Sequence, residues 1–138
     1  DVVDDPWAEV KDLRSWAALD TVWRISVRPT DSLRVIDLMQ DLQKEPGFHC
    51  QLDWGGGLIW LGLDAAQIAN AQAGLALHQA LQTHVAQLSG HATLVKSVFL
   101  RDQELCHFQP LGRAIEHVSQ TLRKKFDPRG ILNPGRMS

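Results

Sequence analysis

Phe48-His49-Cys50-Gln51-Leu52-Asp53-Trp54-Gly55-Gly56-Gly57-Leu58-Ile59-Trp60-Leu61-Gly62-Leu63 is the stretch on which the fold turns. Two strand-like runs, Phe48 to Trp54 and Leu58 to Leu63, are separated only by three glycines. So short a glycine link between β-prone runs predicts an antiparallel hairpin. It is not a phosphate loop, because no helix N-terminus follows it and no Gly-Lys-Ser/Thr is present.

Working outward, the same grammar repeats on both sides. Upstream, Lys44-Glu45-Pro46-Gly47 stops a helix that Thr30 caps, with an apolar stripe of Val35, Ile36, Met39 and Leu42. Before it, Thr21 to Val27 is rich in β-branched and aromatic residues and ends at Pro29, which reads as a strand. Downstream, Asp64 with Gln67 at the third position reads as the cap of a long helix lined by Ala73, Leu77, Ala80, Leu81, His84 and Leu88. Ser89-Gly90 ends that helix, and His91 to Lys96 reads as a fourth strand. The order is strand, helix, strand, strand, helix, strand. That is the split β-α-β, ferredoxin-like arrangement of an α+β domain, with an antiparallel sheet and both helices on one face.

Further helices are expected at the two ends. Asp5-Pro6 opens one with a stripe of Trp7, Val10, Leu13 and Ala17, ending near Leu19. The last helix has the most regular stripe in the chain, Leu111, Ile115, Val118, Leu122 and Phe126, and runs into Phe126-Asp127-Pro128-Arg129-Gly130-Ile131-Leu132-Asn133-Pro134-Gly135-Arg136. Two proline-glycine turns shape that tail, and the apolar Ile131-Leu132 pair between them is expected to pin it to a core. Residues 97–110 are compatible with a loop or a short helix.

The chain of 138 residues, 44% apolar, suits one domain with one core, taken as residues 1–138. A net charge of −2 gives no basic footprint for nucleic acid, and Arg123-Lys124-Lys125 reads as the dipole-complementing end of the last helix. No apolar run approaches the ~20 residues that span a bilayer. Cys50 and Cys106 lack CxxC spacing; a buried reduced pair and a disulfide are both compatible with it. The start, Asp-Val-Val-Asp-Asp, has neither an initiator Met nor a signal-peptide pattern, so the chain reads as cut from something longer.

Period-two alternation sets Trp23, Ile25, Val27, Phe48, Cys50, Leu52, Ile59, Leu61, Leu63, Ala92 and Leu94 against the helices. The opposite face then collects Arg24, Ser26, His49, Gln51, Asp53, Trp60, His91 and Thr93. A half-solvated sheet face is one reading. A ligand face is the other: Arg24 and His91, with the Trp60 indole nearby, could hold a small anion. The six histidines form no HxH, HExxH or Cys/His cluster. His78 and His84, six residues apart on one helix, point about 120° away from each other. No nucleophile motif emerges, so the residues alone suggest no self-contained active site.

The tail at 126–136 resembles the C-terminal signature of FAD-linked oxidases of the vanillyl-alcohol-oxidase type. Asp53-Trp54-Gly55-Gly56-Gly57-Leu58-Ile59-Trp60-Leu61, Gly90-His91-Ala92-Thr93-Leu94-Val95-Lys96 and Val22-Trp23-Arg24-Ile25-Ser26-Val27 narrow the resemblance to the E subunits of bacterial glycolate oxidases. The resemblance implies an FAD-dependent oxidoreductase subunit that works with a flavin D subunit and an iron–sulfur F subunit to oxidise glycolate to glyoxylate. It further implies that this chain is the cap portion, inactive alone, and that its partner FAD-binding domain lies outside it. Asn133, Pro134, Gly135 and Arg136 match the positions implied to meet FAD; the family often has Lys where Arg136 stands. Arg24, His91 and Trp60 are then the substrate-side candidates. The implied location is cytoplasmic, with peripheral attachment to the inner face of the membrane through the complex. The competing expectation is a stand-alone ferredoxin-like module that binds a small anion on Arg24 and His91.

Overall fold

The computed structural model describes residues 16–43, 47–98 and 107–132. Its centre is a four-stranded antiparallel sheet in the order β2-β3-β1-β4. The strands are β1 (Thr21–Ser26), β2 (His49–Asp53), β3 (Leu58–Leu63) and β4 (His91–Ser97). Helices α1 (Ser32–Leu42) and α2 (Ala71–Gln87) supply the two crossovers, and α3 (Arg113–Phe126) follows β4. This is the ferredoxin-like α+β arrangement read from the sequence.

The helix-facing residues are those given by alternation. Trp23, Ile25, Ile59, Leu61, Leu63 and Ala92 are fully buried, packed with Val35 and Met39 of α1 and Leu81 and Val85 of α2. On β2 the register puts Cys50 opposite Leu61 and Leu52 opposite Ile59, so the facing is correct. Yet both are exposed, because β2 is a sheet edge and its inner face is left uncovered. Cys50 is therefore an exposed free thiol and not one of a buried pair; Cys106 lies outside the described residues.

The hairpin turn shows why glycine is needed there. Trp54, Gly55 and Gly56 all have positive φ, at 51°, 64° and 93°, a region that only glycine enters freely. The Asp53 carboxylate accepts from the Trp54 amide at 2.7 Å, which holds the one non-glycine residue in that conformation. Strand β2 accordingly ends at Asp53, one residue earlier than the sequence suggests.

Two expectations about α2 need correcting. Asp64 and Gln67 do form a capping box, but it closes a single 3-10 turn, Ala65–Gln67. Ile68 then runs extended and buries its side chain, so α2 starts afresh at Ala71, where the Asn70 side chain accepts from the Ala73 amide at 2.9 Å. The buried side of α2 is Gly74, Leu77, His78, Leu81, Gln82 and Val85. Ala73 points outward, and the polar His78 and Gln82 take inner positions because both find hydrogen bonds there. The buried Trp23 indole N–H donates to His78 Nδ1 at 3.1 Å.

Gln82 is held by the segment after β4. Its amide donates to the Phe108 carbonyl at 3.0 Å, and the Gln109 amide donates back to the Gln82 carbonyl at 3.0 Å. On β4, the Leu94 amide donates to the His107 carbonyl at 2.8 Å and the Ala92 amide to Gln109 Oε1 at 3.1 Å. Residues 107–110 are thus neither strand nor helix but an extended cover that satisfies the outer edge of β4. Residues 99–106 lie outside the described residues, as does most of the helix expected up to Leu19.

Candidate functional site

The sheet face turned away from α1 and α2 has two halves. One half is closed by residues 16–20. Trp16, Leu19 and Val22 form a small second core against Trp60, with the Trp16 and Trp60 rings 6.3 Å apart. The Trp16 indole donates to Gln51 Oε1 at 3.3 Å, and Lys96 Nζ donates to the Ala17 carbonyl at 2.9 Å. Gly62 makes the close approach possible: a Cβ there would lie 2.3 Å from Leu19 Cδ1 and 2.8 Å from Trp16 Cζ3. Alternation alone could not show this cover, since the residues that make it come from outside the sheet.

The other half is open. Arg24 stands on β1 with Trp60 as its register partner on β3 and Thr93 on β4. Ser26 follows on β1, paired with His91. Arg24 and His91 are therefore diagonal neighbours on one face, about 7–8 Å apart at the backbone. Both are exposed, and Trp60 is half-buried between the Trp16 cover and the open half. The structure so brings together the three substrate-side candidates Arg24, His91 and Trp60. A guanidinium with a tryptophan as its register partner and a histidine diagonal to it on the next strand can bind a carboxylate through directed, charge-assisted hydrogen bonds.

Alongside this face lies a feature with no sequence signal. His91 and Thr93 share a cavity of about 770 Å³ with Phe108, Pro110, Leu111 and the α3 side chains Glu116, Ser119, Gln120 and Arg123. Helix α3 therefore flanks the β4 side of the open half. It presents a polar side to the fold, with the Gln120 amide donating to Glu116 Oε1 at 3.3 Å. None of its residues is buried. Its apolar stripe faces solvent: Ile115, Val118, Leu122 and Phe126 are 61, 56, 49 and 82% exposed.

The start of the tail is shaped but not anchored. The Asp127 carboxylate accepts from the Ile131 amide at 3.1 Å and the Leu132 amide at 2.8 Å. The Leu132 amide first, then those of Ile131, Gly130 and Arg129, hold the Asp127 carboxyl below its ordinary range. Ile131 and Leu132 are 67 and 70% exposed, so the pair pins the tail to no core. Asp127 does that shaping instead. Asn133, Pro134, Gly135 and Arg136 lie outside the described residues.

Among the described residues no three His, Cys, Asp or Glu side chains group to hold a metal ion. Among the described residues, likewise, no helix is long and apolar enough to cross a membrane. A flavin finds a partial fit. The Arg24, Trp60 and His91 half could cover one side of a planar ring, while the glycine turn at 55–57 joins two strands and offers no helix N-terminus to a pyrophosphate.

A polar open half beside a ferredoxin-like core defines the class: a face-presenting α+β domain. Comparison with known proteins sharpens it. The chain is 33% identical over 117 residues to the glycolate oxidase subunit GlcE of Escherichia coli K12, a match covering 85% of this chain and 26% of the relative. The resemblance to glycolate oxidase E subunits read from the sequence is supported by that match. The chain spans about a quarter of the length of the curated relative it matches. No family model matches, and no solved structure does.

Proposed function

We propose that this chain is the cap portion of an FAD-dependent glycolate oxidase subunit of the GlcE type. It would face a separate cofactor-binding domain and belong to a complex with flavin and iron–sulfur subunits. The similarity to GlcE over 85% of the chain is the observation that carries this reading. The open half-face gives it a chemical form: Arg24 and His91 bind and orient the carboxylate of a 2-hydroxy acid, and Trp60 walls the site. A bound flavin would supply the two-electron acceptor for oxidising the alcohol to the 2-oxo acid. The exposed half-face closes only when a second domain covers it, and that closure is what would exclude water. On this reading the fragment is inactive alone, and the positions Asn133, Pro134, Gly135 and Arg136 meet the cofactor domain. The complex would work in the cytoplasm or at the inner face of the membrane.

The test is glycolate-dependent dye reduction by the complete subunit assembled with its partners. Arg24→Gln should lower kcat/KM about tenfold or more, the scale of losing a charge-assisted carboxylate contact, and His91→Asn should lower it less. Unchanged kinetics in both variants would remove the half-face from the substrate site. A colourless complete subunit that still supports full turnover would reduce it to an assembly role.

A further inference from the structure

The cavity beside β4 is far larger than the two-carbon acid of the proposed reaction. Its volume of about 770 Å³ equals roughly 25 waters at ~30 Å³ each, within the range of pockets that enclose small organic ligands. Glycolate held at Arg24 and His91 would leave most of that space wet.

The cavity adjoins the open half-face through two shared residues. Thr93 lines it and is the register partner of Arg24, and paired residues on adjacent antiparallel strands lie only about 5 Å apart. His91 lines it as well. A carboxylate held by Arg24 and His91 therefore has its next carbon beside the cavity, and a substituent on that carbon can enter it.

The lining selects the substituent. One wall is Phe108, Pro110 and Leu111, exposed apolar side chains whose surface a ligand would take out of water. That wall is fixed to the body. The Gln82 amide holds the Phe108 carbonyl, and the Gln109 side chain spans the Ala92 amide and the Gln82 carbonyl. The opposite wall is the polar side of α3. The charges it brings to the lining, Glu116 and Arg123, stand about 10 Å apart along the helix and cancel. That wall therefore favours neither a second carboxylate nor an amine. A ligand charged only at its anchored end suits both walls.

We infer that the site takes monocarboxylic 2-hydroxy acids with a bulky apolar side chain, of leucine or phenylalanine size. The carboxylate sits on Arg24 and His91, and the side chain lies against Phe108, Pro110 and Leu111. The inference rests on the reading proposed above for the half-face, and adds the substrate class. The reaction is the same two-electron oxidation of the alcohol to the 2-oxo acid, with the bound flavin as acceptor.

The experiment titrates this chain with glycolate, 2-hydroxy-4-methylpentanoate and malate, following the Thr93 and Leu111 amides by NMR. The branched acid should bind at least tenfold more tightly than glycolate, the scale of added methylenes in an apolar pocket, and malate no more tightly than glycolate. Ser119→Trp, which fills the cavity from α3, should bring the ratio of the branched acid to glycolate close to one. Leu111→Ser should reduce the same ratio severalfold, with circular dichroism checking that both variants fold. Arg24→Gln should weaken both acids and keep their ratio. Equal binding of the two acids, no binding of either, a ratio unchanged in both cavity variants, or tighter binding of malate would overturn the inference. Turnover of glycolate but not of the branched acid by the complete subunit would also overturn it, and would leave the functional reading standing. Selective binding with no turnover of either acid would leave the cavity's preference standing while the functional reading failed.

Discussion

Helices α2 and α3 invert the usual relation between pattern and burial. Helix α2 mixes glycine, histidine and glutamine into its inner side, and that side is buried, with Leu81 and Val85 fully enclosed. Helix α3 has the clean stripe and buries nothing. The difference teaches that a clean apolar stripe reports a surface able to pack and not one that is packed. Helix α2 is held by shape and by paired polar groups: His78 by the Trp23 indole, and Gln82 by the Phe108 carbonyl and the Gln109 side-chain amide.

The comparison is broken most directly by truncating both helices. Leu81→Ala should cost about 2–5 kcal/mol, the range for emptying a packed core site, while Leu122→Ala should stay within about 0.5 kcal/mol, as for an exposed position. Denaturant midpoints of the two variants check this. Equal losses would mean that α3 is seated on the body after all.

Next in size is the second core. Gly62→Ala drives a methyl into Leu19 and Trp16 and should cost about 1–3 kcal/mol by overpacking. Tryptophan fluorescence should report the displaced Trp16. If the midpoint is unmoved, residues 16–20 do not close that half of the sheet.

A smaller effect sharpens what polar pairing does for α2. Gln109→Ala strands the Ala92 amide and removes the second donor to the Gln82 carbonyl, and should cost about 1–2 kcal/mol, chiefly for the amide left unsatisfied. Faster hydrogen exchange at the Ala92 amide is the accompanying signal.

The smallest effect lies beyond α3. The Asp127 carboxyl is held below its ordinary range by amide donation, chiefly from Leu132. A carboxyl depressed in the folded state stabilises its turn above the ordinary carboxylate pKa, and that contribution is lost as pH falls through the lowered value. Amide shifts of Ile131 and Leu132 should therefore move together on acidification, and Asp127→Ala should abolish the transition while leaving the melting of the body unchanged. A pH-independent pair of amides would show that Asp127 does not shape the tail.

How far the sequence reached differs between parts of the molecule. The strand faces were legible because alternation in Trp23-Ile25, Ile59-Leu61-Leu63 and Ala92-Leu94 leaves one face per strand to bury. The assembly of Arg24, Trp60 and His91 on the opposite face follows from the same parity. The break between the Asp64 box and α2 was not legible, since a capping box closes a 3-10 turn as readily as a long helix, and burial of Ile68 chose between them. Edge exposure of Cys50 and Leu52 was hidden for a related reason. Alternation gives the direction of a side chain but not whether anything lies there.

The sequence by itself determined the order of elements, the strand faces and the resemblance to glycolate oxidase E subunits, because these depend on local periodicity and on residue identity. Only the tertiary structure decided that half of the polar face is closed by Trp16 and Leu19, and that α3 turns its stripe to solvent. Both depend on where distant segments come to rest, and that is settled by which surfaces find a partner within the fold.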